Sequence, residues 1–381
     1  MKNKIANLNK AAIIFIIALL ISQLSGCVYA AIEENDLNIA RSNIESNFSL
    51  GLVTNPNFIP QSEDKEIARS NPDSFFAQDL LLNPNYQIED KDKEVARNNP
   101  ESRFAESLAS NPNIVIEELD KAFVRNKPNT FFALKLVNNP KYPITEEDIN
   151  FAEQYPLTLF SIGLFSNLNY NPSKQHTRKL QKIARRHLNT IEASLIASSK
   201  NYVVEEVDKR IARKNARRKR SNVFSIPFFV SGVTSNPNYQ VEQVDREIAH
   251  KDLESIFAHG ITSNPNYQVE EVDKEIARNN LESSFVEGLV SNPSFVVDNK
   301  DKEAARKNLY SNFAFLVTKH KTYTVEEQDK KIAREGENID SNFASGVTRN
   351  DTYLVEPQDK EIARENIDSY FAEGLTKNKN Y

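Results

Sequence analysis

The chain has very few of the residue types on which disulfide-stabilised, phosphate-binding and metal-binding proteins depend. Its 381 residues include one cysteine, nine glycines, five histidines and no tryptophan. A single cysteine excludes an intramolecular disulfide, so packing alone must stabilise the fold. Nine glycines leave no glycine-rich loop of the kind that cradles a phosphate.

Candidate catalytic groups are equally scarce. The five histidines are His176, His187, His250, His259 and His320. They form no HExxH motif and no i, i+4 pair, so a metal site has little support. Paired acidic residues recur once per repeat, which is typical of a solvated helix face rather than of one acid/base site. We therefore expect no enzyme activity, no catalytic residue, no cofactor and no metal.

What the chain does have is an internal repeat. The heptapeptide NPNYQVE occupies residues 236–242 and recurs at residues 264–270. The Asp of DKEIAR, or the residue in its place, marks the repeat at Asp36, Asp64, Asp92, Asp120, Asp148, Leu180, Asp208, Asp245, Asp273, Asp301, Asp329 and Asp359. Most steps are 28 residues, with insertions expected near 161–180 and 214–226. A fixed period of this length predicts a repeat array.

The hydrophobic pattern within one unit predicts two helices. Val241, Val244 and Ile248 share one stripe of a helix, and Phe257 and Ile261 follow in a second helix. We therefore predict an all-α fold, an α-solenoid of about twelve 28-residue helix-turn-helix repeats. As an open right-handed superhelix it would be a curved rod with a contour of roughly 100 Å.

Helix starts are also predicted from the sequence. Prolines recur at one phase, at Pro72, Pro100, Pro128 and Pro156. They fit the first position of the second helix, with Asn71 and Asn99 as N-caps. The segments that begin at Thr145 and Thr324 resemble capping boxes for the first helix.

One column of the repeat is aromatic. It comprises Phe48, Phe76, Phe104, Phe132, Phe160, Phe229, Phe257, Phe285, Phe313, Phe343 and Phe371. The unit at Leu180 has Ile191 and Glu192 at this place instead. A phenylalanine once per unit predicts a core position that lets neighbouring units stack, in preference to a row of ligand contacts.

A second column is basic. It comprises Arg41, Arg69, Arg97, Arg125, Arg185, Arg213, Arg278, Arg306, Arg334 and Arg364. Each lies five residues after the marker Asp, about 140° around a helix, so the two cannot pair well within one helix. We favour Asp–Arg pairing between neighbouring units. The alternative is a row of arginines that binds an anionic polymer.

The N-terminal residues have the form of an export signal. Basic residues 1–10 precede an apolar run that is short for a membrane span. Leu24-Ser25-Gly26-Cys27 resembles the lipobox of bacterial lipoproteins, which implies cleavage before Cys27 and lipid on that cysteine. An ordinary signal peptide cut near residue 30 is the alternative.

This resemblance divides the chain into a signal peptide (1–26), a lipidated N-terminus with a short tether (27–32) and the repeat domain (33–381). Val28 is not the aspartate that marks inner-membrane retention in enteric lipoproteins. The expected location is therefore the bacterial cell envelope, lipid-anchored at the outer membrane.

The repeats resemble the bacterial leucine-rich repeat variant and, more loosely, HEAT repeats. The likeness rests on the recurring IAR, NP and NPN segments. The 28-residue period, phenylalanine in place of leucine and the lack of a cysteine cluster depart from that pattern. The resemblance implies a solenoid that serves as a binding or scaffolding surface.

Positive charge is concentrated in the middle of an otherwise acidic chain. The net charge of −5 becomes −8 without residues 1–26, which contain three lysines and no acid. The candidate anion-binding residues are Lys209, Arg210, Arg213, Lys214, Arg217, Arg218, Lys219 and Arg220. Such a cluster favours an anionic partner. A solvated loop without a partner is the alternative.

These observations predict a non-enzymatic, lipid-anchored binding or scaffolding protein of the cell envelope. Its partners would be the membrane, through the lipid, and a protein or an anionic envelope polymer. Nucleic acid is disfavoured behind a lipoprotein signal. A surface-exposed factor that engages host molecules is the first alternative. An envelope hydrolase and a spacer between membrane and wall are the others.

Overall fold

The predicted all-α solenoid is confirmed. A computed structural model describes residues 32–216 and 228–381, and these contain twenty-four α-helices, one short 3₁₀-helix and no β-strand. Each of twelve units contributes two consecutive helices, the first odd-numbered and the second even-numbered. Within these residues no helix has the length and apolar character needed to cross a membrane.

The odd-numbered helices are α1 Glu34–Ser42, α3 Ser62–Ser70, α5 Asp90–Asn98, α7 Glu118–Asn126, α9 Glu146–Gln154, α11 Lys174–Arg186, α13 Glu206–Ala216, α15 Gln243–Lys251, α17 Glu271–Asn279, α19 Asn299–Lys307, α21 Glu327–Arg334 and α23 Pro357–Glu365. The even-numbered helices are α2 Asn47–Thr54, α4 Phe75–Leu82, α6 Arg103–Ser110, α8 Phe131–Asn138, α10 Leu159–Ser166, α12 Ile191–Ser198, α14 Phe228–Thr234, α16 Ile256–Ser263, α18 Ser284–Ser291, α20 Asn312–Lys319, α22 Asn342–Arg349 and α24 Tyr370–Lys377.

The helices form two layers. Every even-numbered helix packs against the even-numbered helices of both neighbouring units, whereas the odd-numbered helices make few contacts with one another. In a curved array the layer with the closer neighbours is the concave one. The even-numbered helices therefore form the inner layer and the odd-numbered helices the outer layer.

The two ends of the array pack against each other. Helix α24 lies against α2 as α22 lies against α24. The amide of Phe48 donates to the carbonyl of Ile367 at 2.8 Å, which matches the bond from Phe104 to Pro72 at 2.9 Å between successive units. The array is thus a closed ring, and the expected open rod is wrong. Each unit turns through about 30°, so twelve units complete a circle.

The turns between helices begin and end differently from the prediction. Asn71 is the C-cap of α3, and Ser74 is the N-cap of α4, with its hydroxyl accepting from the amide of Ala77. Pro72 lies in the turn between them, so its predicted place at the first position of a helix is wrong. The turn needs the proline carbonyl, because Pro72 accepts the amide of Phe104 in the next unit.

The two predicted capping boxes have different outcomes. Thr145 is the N-cap of α9 and forms a capping box with Asp148, as predicted. At α21 the N-cap is Glu326, which pairs with Asp329, so Thr324 lies too early. Glutamate at this position recurs in most outer helices. A carboxylate there satisfies the same backbone amide that a threonine hydroxyl would.

The phenylalanine column forms the core, as predicted. Its eleven members are between 0 and 1% exposed. A second buried set comes from the NPNY segments and includes Tyr86, Tyr202 and Tyr353. Phe48 and Tyr381 meet edge to face, with ring centroids 6.3 Å apart, so the two aromatic sets contact each other across the ring closure.

Glycine at the fifth position of an inner helix lets neighbouring helices approach closely. A Cβ on Gly51 would lie 2.7 Å from the carbonyl oxygen of Glu373, and one on Gly163 would lie 2.4 Å from that of Leu134. Most joints with glycine at this position bury more of the helix pair than joints with a larger residue. Gly336 has a different role, because its φ of 52° turns the chain before the 3₁₀-helix Gly336–Asp340.

In the first of the two longer units the additional residues lie inside the outer helix, so its marker position differs from the predicted one. Helix α11 has 13 residues, and its third residue, His176, occupies the place that the marker Asp has in other units. The marker of this unit is therefore His176 rather than Leu180, and the four additional residues extend the helix. The nine additional residues of the next unit fall within 217–227, outside the described residues.

Ring closure makes a specific prediction for small-angle X-ray scattering. Twelve inner helices spaced by about 9 Å give a circle about 35 Å across, and the outer layer brings the diameter to about 65 Å. We expect scattering from the chain without signal peptide and lipid to show a maximum dimension near that value, with a depleted centre. A maximum at or beyond roughly 100 Å would indicate the open rod instead.

Closure also changes what is expected of the phenylalanine column. Phe257→Ala and Phe371→Ala should each cost about 3 to 5 kcal/mol in the free energy of unfolding, because both rings are buried between two neighbouring units. In an open array Phe371 would belong to an end unit and lose less. Urea denaturation of both variants decides between the two arrangements, and a clearly smaller loss at Phe371 would count against the ring.

Candidate binding surfaces

A buried aspartate at the third position of every outer helix except α11 organises the contacts between units. Asp92 accepts from the Arg69 Nε of the preceding unit at 2.7 Å and from the Tyr86 hydroxyl at 2.9 Å. Its other carboxylate oxygen accepts the amide of Glu89 at 2.7 Å. Burial, followed by the charge of Asp92, raises the pKa of Tyr86 and keeps its hydroxyl a donor.

This arrangement, the Asp–Arg ladder, repeats around the ring. All ten arginines of the basic column donate to the aspartate of the next unit, at 2.6 to 2.8 Å. The last bond joins Arg364 to Asp36 and closes the ring. The predicted pairing between units is confirmed. Because these guanidinium groups are already paired, the column is not a row of free arginines for a polymer.

A second ladder was missed from the sequence. Asn83 ends α4 and donates through its side chain to the carbonyls of Val53 and Asn55 in the preceding unit, at 2.7 and 3.0 Å. Asn55 does the same to Thr376 and Asn378 across the ring closure. These asparagines belong to the recurring NPN segments and to the segments in their place. Their regularity could have indicated that the asparagine side chain bonds to the neighbouring unit.

One joint of the ring lacks the Asp–Arg pair. Between units five and six, Glu153 stands in place of the arginine and His176 in place of the aspartate. The Tyr170 hydroxyl and His176 Nδ1 are 2.9 Å apart, and His176 Nε2 is buried without a partner. Burial lowers the pKa of His176, so it is neutral at pH 7. Glu192 occupies the phenylalanine position of the same unit.

Another histidine takes over the role of an arginine. His250 Nε2 lies 2.7 Å from Asp273, and Arg246 reaches the same carboxylate at 3.2 Å. Burial by itself would raise the pKa of Asp273. Hydrogen bonds from His250 and Tyr267 outweigh it, so the pKa is lowered. The remaining histidines are dispersed, and no group of acidic, histidine or cysteine residues in 32–216 and 228–381 could hold a metal ion.

An exposed basic surface covers α11 and α13. Helix α11 contains no acidic residue in its 13 positions, whereas the other outer helices have at least one in the first turn. We define the outer basic face by its exposed cations on these two helices, Lys174, Arg178, Lys179, Lys182, Arg186, Arg210 and Lys214. The helices are adjacent because Arg185 Nε binds Asp208 at 2.7 Å.

The structure separates the eight predicted anion-binding residues into three groups. Arg213 belongs to the Asp–Arg ladder, bonded to Asp245 at 2.7 Å, and Lys209 pairs with Glu206 and Glu242. At these two positions the charges are already paired with carboxylates of the ring, and anion binding there stays a prediction. Arg210 and Lys214 are exposed on the outer basic face. Outside the described residues lie Arg217, Arg218, Lys219 and Arg220, and also Cys27.

Fold and surface define a closed α-solenoid ring with one strongly basic outer segment. No protein-family model, no curated protein and no solved structure matches the chain. The assignment of function therefore depends on the surfaces of the ring itself.

The joint between units five and six offers a direct test of the Asp–Arg ladder. His176→Asp alone should destabilise the ring, because it places a buried carboxylate beside Glu153. Adding Glu153→Arg restores the arrangement of the other joints. We expect a favourable coupling energy of about 1 to 3 kcal/mol in a double-mutant cycle of unfolding free energies. Additive effects of the two substitutions would show that the pair does not reproduce the ladder.

Proposed function

We propose that this protein is a non-enzymatic binding scaffold of the bacterial cell envelope, whose outer basic face engages an anionic partner. The observation that carries the proposal is the acid-free helix α11 beside the exposed cations of α13. The other outer helices mix both signs of charge, except α9, whose charged residues are all acidic. A positive segment on an acidic chain concentrates polyanions through its long-range field.

Membrane attachment is the second part of the proposal. The Leu24-Ser25-Gly26-Cys27 segment supports lipidation of Cys27, directly ahead of the ring. Each buried acyl methylene contributes about 0.8 kcal/mol to membrane binding, so more than one acyl chain anchors a protein firmly. The ring would then stand at the membrane surface, and the envelope polyanions available there are phosphorylated glycolipids, acidic polymers and acidic proteins.

Two further functions are compatible with the same surfaces. Export to the cell surface would make the ring a factor that engages anionic host molecules, and the outer basic face would serve that role equally. An envelope hydrolase has less support. The histidines of the described residues are either bonded within joints or dispersed, with no cluster of catalytic groups.

The proposal is tested by salt elution from immobilised heparin and lipopolysaccharide. The variant Arg178→Ser, Lys182→Ser, Arg186→Ser and Arg210→Ser removes four exposed cations from the outer basic face. Exposed ion pairs contribute about 0.2 to 1 kcal/mol each, so affinity should fall about tenfold or more. We expect the variant of the mature protein to elute from both resins at clearly lower salt than the wild type.

A matched control keeps the net charge equal. Lys91, Lys300, Lys307 and Lys331 are exposed on outer helices at least three units away from α11 and α13, and their change to Ser also removes four positive charges. This control should elute with the wild type. Equal shifts in both variants would mean that only net charge matters. No shift in either would place the partner site elsewhere on the ring, and unchanged melting curves exclude unfolding as the cause.

A further inference from the structure

The inner wall of the ring carries its own row of cations. The second, third and sixth residues of an inner helix are buried, apart from Glu192, whereas the eighth residue is exposed or half-buried in every inner helix that has one. At the eighth position the last three inner helices carry Lys319, Arg349 and Lys377. The other described inner helices have uncharged residues there. We call these three residues the inner cation row.

The row has more positive charge than its neighbours neutralise. Arg349 and Lys377 share one carboxylate oxygen of Glu373, at 3.2 and 2.7 Å. Lys319 has no carboxylate within ion-pair distance among the described residues, and it lies 5.2 Å from the centre of the Phe315 ring. The Nε of Arg349 is buried without a hydrogen-bond partner. Two donors of the row are therefore unpaired.

The surroundings make this excess charge costly. Burial lowers the pKa of Lys319, and the positive charges of Arg349 and Lys377 lower it further. Asp79 of the second unit lies near Lys377 and Arg349. Burial raises the pKa of Asp79 and so disfavours its charged form. An anion placed between the three cations would relieve their mutual repulsion.

Space for an anion is found at one end of the row, beside Lys319. A pocket of about 360 Å³ opens between the C-terminal ends of α18 and α20, with Lys319, His320 and Lys321 in its lining. It exists because Leu316 stands where glycine brings other inner helices together. Its volume lies within the range of small-molecule sites.

We propose that the inner cation row binds the phosphoryl dianion of a small phosphorylated solute. A dianion in the pocket can accept from the ammonium groups of Lys319 and Lys321, which both line it, and its charge would offset the repulsion that Arg349 and Lys377 exert on Lys319. The site lies at the C-terminal ends of inner helices. It is independent of the outer basic face.

Isothermal titration with inorganic phosphate at constant ionic strength tests the site. Wild-type protein should bind with a measurable affinity, and Lys319→Gln should weaken binding about tenfold or more. The control Lys251→Gln removes an exposed lysine from the outer helix α15 and should bind as the wild type does. The quadruple Ser variant of the outer basic face should also bind normally, so the two proposals can fail separately.

A second measurement follows Lys319 itself. After ¹³C-methylation of the lysines, the resonance that is absent in Lys319→Gln reports its titration. Bound phosphate should raise the pKa of Lys319, because an anion stabilises the ammonium form. The proposal is overturned if the wild type does not bind millimolar phosphate, if Lys319→Gln binds as tightly as the wild type, or if phosphate leaves this pKa unchanged.

Discussion

The ring depends on one interaction, the full hydrogen bonding of a buried carboxylate by groups of the preceding unit. An aspartate removed from water costs several kcal/mol unless its charge and lone pairs are satisfied. Each marker aspartate accepts the backbone amide of its N-cap and a basic side chain of the preceding unit, and several, such as Asp92, also accept a tyrosine hydroxyl. For Asp36 those groups are Arg364 and Tyr381, so the last unit completes the first.

The departures from this rule lie close together. Unit six has a histidine in place of the aspartate, a glutamate in place of the phenylalanine and Ser199 in place of the ladder asparagine. The same unit contains the lengthened, acid-free helix α11. The unit that lacks the standard joint contacts is thus also the unit with the most distinctive outer surface.

Closure gives the molecule two chemically different faces. The outer layer carries many exposed charges in loosely packed helices, and its long arginine and lysine side chains span the wider gaps between units. The inner layer is brought together by glycine and buried phenylalanine, and its exposed stripe is short. Under the two proposals, an outer partner would meet a broad surface and an inner ligand a narrower one.

The sequence by itself determined the all-α class, the twelve units, the phenylalanine core and the pairing of Asp with Arg between units. These are local, repeated features, and each follows from helical periodicity and from the cost of burying a charge. Only the tertiary structure decided that the array closes. Closure depends on a rotation of about 30° per unit. This angle results from many small packing contacts between neighbouring units, and no single residue determines it. The helix starts and the marker at His176 were likewise decided by contacts between units. The excess charge of Lys319, Arg349 and Lys377 became visible only when the ring placed three distant segments on one inner wall.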